Sequence, residues 1–163
     1  MAEHIPSTKK WLHQRTRSLA SHSDEYETPH TLYENLCNHF EIYPELDVCA
    51  SKKVSKCKKF FSIDDNALDK DWKSDSVWCN PPHSKTKEFV LKADKEWTEN
   101  DINIMMLVPA NAVCAHYFSD IFYHQHAEYY RLAGRIRFLV DGEKSPHPSR
   151  NSYFVVVWRK RNA

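Results

Sequence analysis

Residues 102–108, Ile102-Asn103-Ile104-Met105-Met106-Leu107-Val108, are apolar at every position but Asn103 and stop at Pro109. A strand with one wet face alternates apolar and polar side chains, because successive residues point to opposite sides. A continuous apolar strand is covered on both faces, the condition inside a mostly parallel sheet packed between helices. Shorter strand candidates flank it. Leu46-Asp47-Val48-Cys49-Ala50, Lys59-Phe60-Phe61-Ser62-Ile63 and Ser76-Val77-Trp78-Cys79 precede it, and Glu128-Tyr129-Tyr130-Arg131-Leu132 and Tyr153-Phe154-Val155-Val156-Val157-Trp158 follow.

Helical signals fall between these segments. Thr28-Pro29 opens a helix, with threonine as the cap and proline in the first turn. Leu32, Leu36 and Phe40 then recur at four-residue spacing, and Pro44 ends the pattern. Residues 84–98 place Phe89, Val90, Ala93 and Trp97 on one helical face, and residues 112–123 read as another helix. The first two strands lie too close for a full crossover helix, so that helix is expected to be reduced or missing. This alternation predicts an α/β domain over residues 25–163 with helices on both faces of the sheet. Residues 1–24 are polar and basic and are expected to form a flexible arm.

Two glycines in 163 residues, Gly134 and Gly142, are far below the roughly eleven of average usage. A dinucleotide fingerprint and a P-loop both need several glycines for close backbone approach to phosphate, so both are excluded. The 41% hydrophobic and 28% charged content is that of a folded globular chain. Five cysteines without paired spacing suit reduced thiols, and the ten histidines lack the spacing of a zinc site, so no metal is expected. No apolar run approaches the roughly twenty residues of a membrane span, so a soluble, intracellular and cytoplasmic protein without membrane partners is expected. Nothing in the sequence specifies an oligomeric state.

The net charge of +1 conceals segregation. Basic residues gather at Lys9-Lys10 through Arg17, at Lys52-Lys53 through Lys59, and at Arg159-Lys160-Arg161, while Asp64, Asp65, Asp69, Asp71 and Asp75 form an acidic stretch. The pattern is compatible with a nucleic-acid face beside a pocket for a cationic ligand, and equally with ordinary solvated surface.

In open α/β sheets, ligands bind beyond the carboxyl ends of the strands. One strand here ends in Asn80-Pro81-Pro82-His83. Two prolines stiffen the backbone and remove two N–H groups. The Pro81 carbonyl and the Asn80 amide oxygen then stand as two fixed acceptors beside an aromatic ring. That arrangement suits a flat base carrying an exocyclic amine, which donates to both acceptors and stacks on His83.

Asn80-Pro81-Pro82 after an apolar strand resembles the catalytic motif of amino-group DNA methyltransferases. The likeness extends to Thr28-Pro29, to Leu46-Asp47-Val48-Cys49-Ala50, to Asp69-Lys70-Asp71-Trp72 and to Gly134-Arg135-Ile136-Arg137-Phe138, in that family's order, over roughly residues 25–158. The chain is most similar to the short phage-type N6-adenine (Dam-like) methyltransferases. The resemblance implies a reduced class I (Rossmann-like) fold and transfer of a methyl group from S-adenosylmethionine to adenine N6 in DNA. It implies catalytic Asn80, Pro81, Pro82 and His83. Cofactor contacts would come from Thr28, Pro29, Asp47, Cys49, Ala50 and Asn80, with Asp47 near the methionine ammonium, Asp64 at the ribose and Asp71 at the cofactor adenine. Lys85, Lys87, Arg135, Arg137 and Arg150 would contact DNA. Two departures stand out: His83 replaces the usual tyrosine, and no glycine follows Cys49-Ala50. Because histidine titrates near pH 6.5, activity is expected to fall below about that value. Alternatives are methylation of cytosine N4 or of RNA adenine, a catalytically silent nucleic-acid-binding module, and a small zinc-stabilised domain using Cys37, His39, Cys49 and Cys57.

Overall fold

The computed structural model describes Asp24, residues 26–51 and residues 54–161. The expected arm and Lys52-Lys53 therefore lie outside the described residues, Asp24 apart. Along the chain run α1 (His30–Phe40), β1 (Leu46–Asp47), β2 (Lys59–Phe60), β3 (Ser76–Cys79), α2 (Thr86–Asn100) and β4 (Asn103–Pro109). There follow α3 (Ala110–Val113), α4 (Ser119–Tyr123), β5 (Glu128–Arg131), β6 (Leu139–Val140), β7 (Glu143–Lys144) and β8 (Tyr153–Trp158).

Six strands form one sheet in the order β2-β1-β3-β4-β8-β5. Only β8 runs antiparallel to its neighbours β4 and β5, so the sheet is mostly parallel. β4 is covered on both sides, as its composition requires. Ile104, Met106 and Val108 pack with Phe89, Val90, Ala93 and Trp97 of α2, whereas Met105 and Leu107 pack with Tyr33, Leu36 and Phe40 of α1 and with Ile136 and Phe138.

Several elements differ from their sequence expectations for local reasons. β1 is two residues long because the Asp47 carboxylate captures the N–H groups of Cys49 and Lys56, at 3.1 and 2.9 Å, and turns the chain away. β2 stops at Phe60, since Ser62 and Asp65 form a capping box that coils the next residues into a 3-10 turn. Thr28 does not cap α1: Pro29 occupies the cap position and no side chain bonds the helix end. The helix expected over residues 112–123 breaks where Ala115 turns extended, at ψ 149°, which lets Ala112, Phe118 and Ile121 all reach the core. No helix separates β1 from β2 among the described residues, as the short spacing predicts. Between β2 and β3 the chain forms two 3-10 turns, Ile63–Asp65 and Ala67–Asp69, and buries Trp72 fully, its indole N–H donating to the Ala67 carbonyl at 2.9 Å.

The chain leaves β1 for β2 on one side and returns to β3 on the other. The carboxyl ends of β1 and β3 therefore flank a topological switch point, where open sheets form crevices. At the opposite end, the basic stretch 159–161 is consumed in internal contacts. The Trp97 indole donates to the Arg159 carbonyl at 2.6 Å, and the Arg159 guanidinium donates to the Phe40 carbonyl at 3.1 Å. Lys160 pairs with Asp75 at 2.7 Å, and Arg161 lies over the Trp97 ring.

Candidate active site

A cleft of about 500 Å³ opens at the switch point. Its floor is Trp78 and Asn80-Pro81-Pro82-His83 from the end of β3, and one wall is Asp47-Val48-Cys49-Ala50-Ser51 from the end of β1. Asp24 and Tyr26-Glu27-Thr28 line the opening as a strap. Asp24 accepts both the backbone N–H and the hydroxyl of Ser84, at 3.0 and 2.6 Å, and Glu27 exchanges two 2.9 Å backbone hydrogen bonds with Leu139 at the start of the β6–β7 hairpin. Asp141 and Gly142 close that hairpin with φ of 53° and 81°, a two-residue turn that needs positive φ at both positions.

The strap fixes the orientation of Asn80. Its Nδ2 donates to the Tyr26 carbonyl at 2.9 Å. A carbonyl only accepts, so the amide nitrogen must face Tyr26 and Oδ1 must face the other way. The Pro82 carbonyl is taken by the Lys85 N–H at 2.9 Å. Among the described residues, the Pro81 carbonyl accepts no hydrogen bond. Two oxygen acceptors thus remain available at a proline-stiffened strand end.

Aromatic rings surround them. His83 stacks on Tyr153 with centroids 6.0 Å apart, and its Nε2 shares a 2.6 Å hydrogen bond with the Tyr153 hydroxyl. Tyr26 meets the His83 edge and stacks on Phe138 at 5.2 Å. Burial pushes the His83 pKa below its ordinary value, against a weaker upward pull from Asp24, and burial also raises the Tyr153 hydroxyl. His83 is therefore a neutral ring at neutral pH.

The β1 side of the cleft is charged. Asp47 is buried, and loss of water raises its pKa even though two backbone N–H groups bond its carboxylate. Thr28 is 2% exposed and borders the cleft, and its hydroxyl, withdrawn from solvent, has no hydrogen-bond partner among the described residues. A buried hydroxyl left unpaired is costly. Ile63 is 85% exposed on the rim, an apolar side chain suited to covering a bound ring.

A family model described as DNA N-6-adenine-methyltransferase (Dam) matches residues 15–162. The chain belongs to that family. It is 30% identical over 94 residues to the DNA N-6-adenine-methyltransferase of Haemophilus phage HP1 (strain HP1c1), covering 58% of this chain and 54% of the relative. It is 37% identical over 89 residues to the protein of the same name from Escherichia phage T1, covering 54% of this chain and 37% of the relative. The aligned part thus spans about half the length of one relative and little more than a third of the other.

In this Dam-family chain the structure gathers most residues that the motif comparison singles out. Asn80, Pro81, Pro82, His83, Thr28, Asp47, Cys49, Ala50 and Lys85 all line the cleft. Pro29 stands next to Thr28 at the start of α1. Asp64 is exposed in the 3-10 turn that carries Ile63 on the rim. Asp71 borders a separate shallow groove with Lys58, Lys59, Lys70 and Lys73. Lys87 is exposed on α2. Arg135 and Arg137 are exposed between buried Ile136 and Phe138, and a 2.7 Å hydrogen bond from Ser149 N–H to the Ile136 carbonyl brings the segment before Arg150 alongside them. The four candidate zinc residues are not assembled: the Cys49 sulfur lies 3.6 Å from that of Cys79, and Cys57 contacts Tyr33. Among the described residues, no group of three or more His, Cys, Asp or Glu is placed to hold a metal, and no helix is long and apolar enough to cross a membrane.

Sequence reasoning missed Tyr26, Glu27, Lys56 and Phe138, all of which line the cleft. The Asp141-Gly142 pair was the available signal for the hairpin that brings Phe138 there.

Proposed function

We propose that the chain is an adenine-specific DNA methyltransferase on a reduced class I (Rossmann-like) fold, using S-adenosylmethionine as the methyl donor. The reading is carried by one observation, the Asn80 amide nitrogen held by the Tyr26 carbonyl, which leaves the amide oxygen as an acceptor at the strand end that carries Pro81. An aromatic amine is a poor nucleophile because its lone pair is delocalised into the ring. Asn80 Oδ1 and the Pro81 carbonyl accept its two N–H groups, which favours a pyramidal nitrogen and strengthens as positive charge develops there. His83, neutral and held by Tyr153, stacks on the base, with Tyr26 and Phe138 beside it. The bound sulfonium supplies an activated methyl group, so the protein contributes orientation rather than a covalent intermediate. Thr28, Asp47, Cys49 and Ala50 hold the donor's amino-acid side, and Ile63 with Asp64 its nucleoside side. Lys85, with Arg135, Arg137 and Arg150 on the neighbouring rim, positions DNA through its phosphates.

The test is nucleoside mass spectrometry of DNA incubated with labelled S-adenosylmethionine and either wild type or Asn80→Ala. Wild type is expected to yield N6-methyladenine, and Asn80→Ala to lose about 10²- to 10³-fold in rate. Equal product from both proteins, or label on cytosine, would overturn the assignment.

A further inference from the structure

Among the described residues of the β1–β2 loop, Lys56 is the cation that lines the cleft. Lys56 lines the cavity together with Asp47 and Glu27. Its backbone N–H donates to Asp47 Oδ2, which anchors the root of the side chain against the carboxylate wall. The side chain is half-buried, and the charges acting on it are Asp47 and Glu27. Among the described residues, its ammonium donates no hydrogen bond and closes no ion pair. An ammonium withdrawn from water without a bonded acceptor is unfavourable, and a bound anion would relieve it.

The cleft therefore offers the Lys56 ammonium to an anion and the Asp47 carboxylate to a cation. A ligand bearing ammonium and carboxylate on one carbon, an α-amino acid, matches both.

We propose that Lys56 binds the α-carboxylate at the amino-acid end of the methyl donor; this rests on the methyltransferase reading above. Isothermal titration calorimetry of the full chain with two nucleoside thioethers tests it. S-adenosylhomocysteine carries the amino-acid end, and methylthioadenosine lacks it. Lys56→Met is expected to weaken S-adenosylhomocysteine about 10- to 100-fold and leave methylthioadenosine unchanged, because only the former loses a charge-assisted contact. Lys56→Arg is expected to restore most of the lost affinity. Unchanged S-adenosylhomocysteine binding by Lys56→Met overturns the role of Lys56 and leaves the donor reading intact. Equal weakening of both ligands assigns Lys56 to loop structure instead. Failure of wild type to bind either ligand overturns the donor reading, and the proposal with it.

Discussion

His83 shows how surroundings change the meaning of a residue. On its own, a histidine in a base-stacking position predicts an acid limb at its ordinary pKa of about 6.5. Burial disfavours the imidazolium and moves that limb lower. The sign for stability follows. Between the depressed folded value and about 6.5, the unfolded chain holds more protons than the folded one. The stability contributed by neutral His83 is therefore complete above about pH 6.5 and is lost as pH falls toward the folded value. We expect wild-type turnover, followed from pH 5 to 8, to inflect below about 6.5, and His83→Tyr to lack that inflection. An inflection at or above 6.5 would contradict the effect of burial. Asp47 supports a second prediction. Asparagine there would place an N–H group against one of the two backbone donors of Cys49 and Lys56, so Asp47→Asn is expected to destabilise the fold by about 1–3 kcal/mol in urea unfolding. At this scale, Asn80-Pro81-Pro82 is legible because strand, stop and acceptors are contiguous. Tyr26, 54 positions away, carries no local mark of the bond that aims Asn80.

Among the elements, legibility follows hydrophobic run length. β4 and β8 read clearly, since six or seven consecutive positions repeat one message. Apolar patterning overstates β1 and β2 because side chains such as Asp47 and Asp65 compete with the ladder, a competition that such patterning does not register. The β6–β7 hairpin leaves little trace because its strands have only two residues each, so the Asp141-Gly142 turn is the sole signal. That turn has a measurable consequence. Space is open around Gly142, with nothing within 4 Å of an added Cβ, so a side chain there meets strain only from its φ of +81°. Gly142→Val is expected to destabilise the hairpin by about 1–2 kcal/mol. Because Leu139 pairs with Glu27 in the strap, the same variant should bind S-adenosylhomocysteine more weakly while the melting temperature of the whole protein falls only slightly. A large drop in melting temperature with unchanged binding would show that the hairpin supports the core rather than the strap.

For the molecule as a whole, the α/β class follows from the one strand that had to be covered on both faces, and the structure agrees in having α1 on one side and α2 on the other. Strand order is not legible, because nothing in the chain between Asp47 and Ser76 says on which side of β1 each later strand will lie. That reversal places the cleft. Met106, fully buried at the middle of β4, tests the core independently of the site: Met106→Ala is expected to lower stability by about 2–5 kcal/mol. Its cleft should still bind S-adenosylhomocysteine at temperatures where the variant remains folded. The residue after β8 adds a different constraint. Arg159 gives its carbonyl to Trp97 of one helical layer and its guanidinium to Phe40 of the other, so a single residue stitches both layers at the strand end of β8. A fusion partner or affinity tag that replaced the chain from Arg159 onward would still offer a backbone carbonyl to Trp97 but would lose the guanidinium that holds Phe40. One appended beyond Arg161 keeps both contacts.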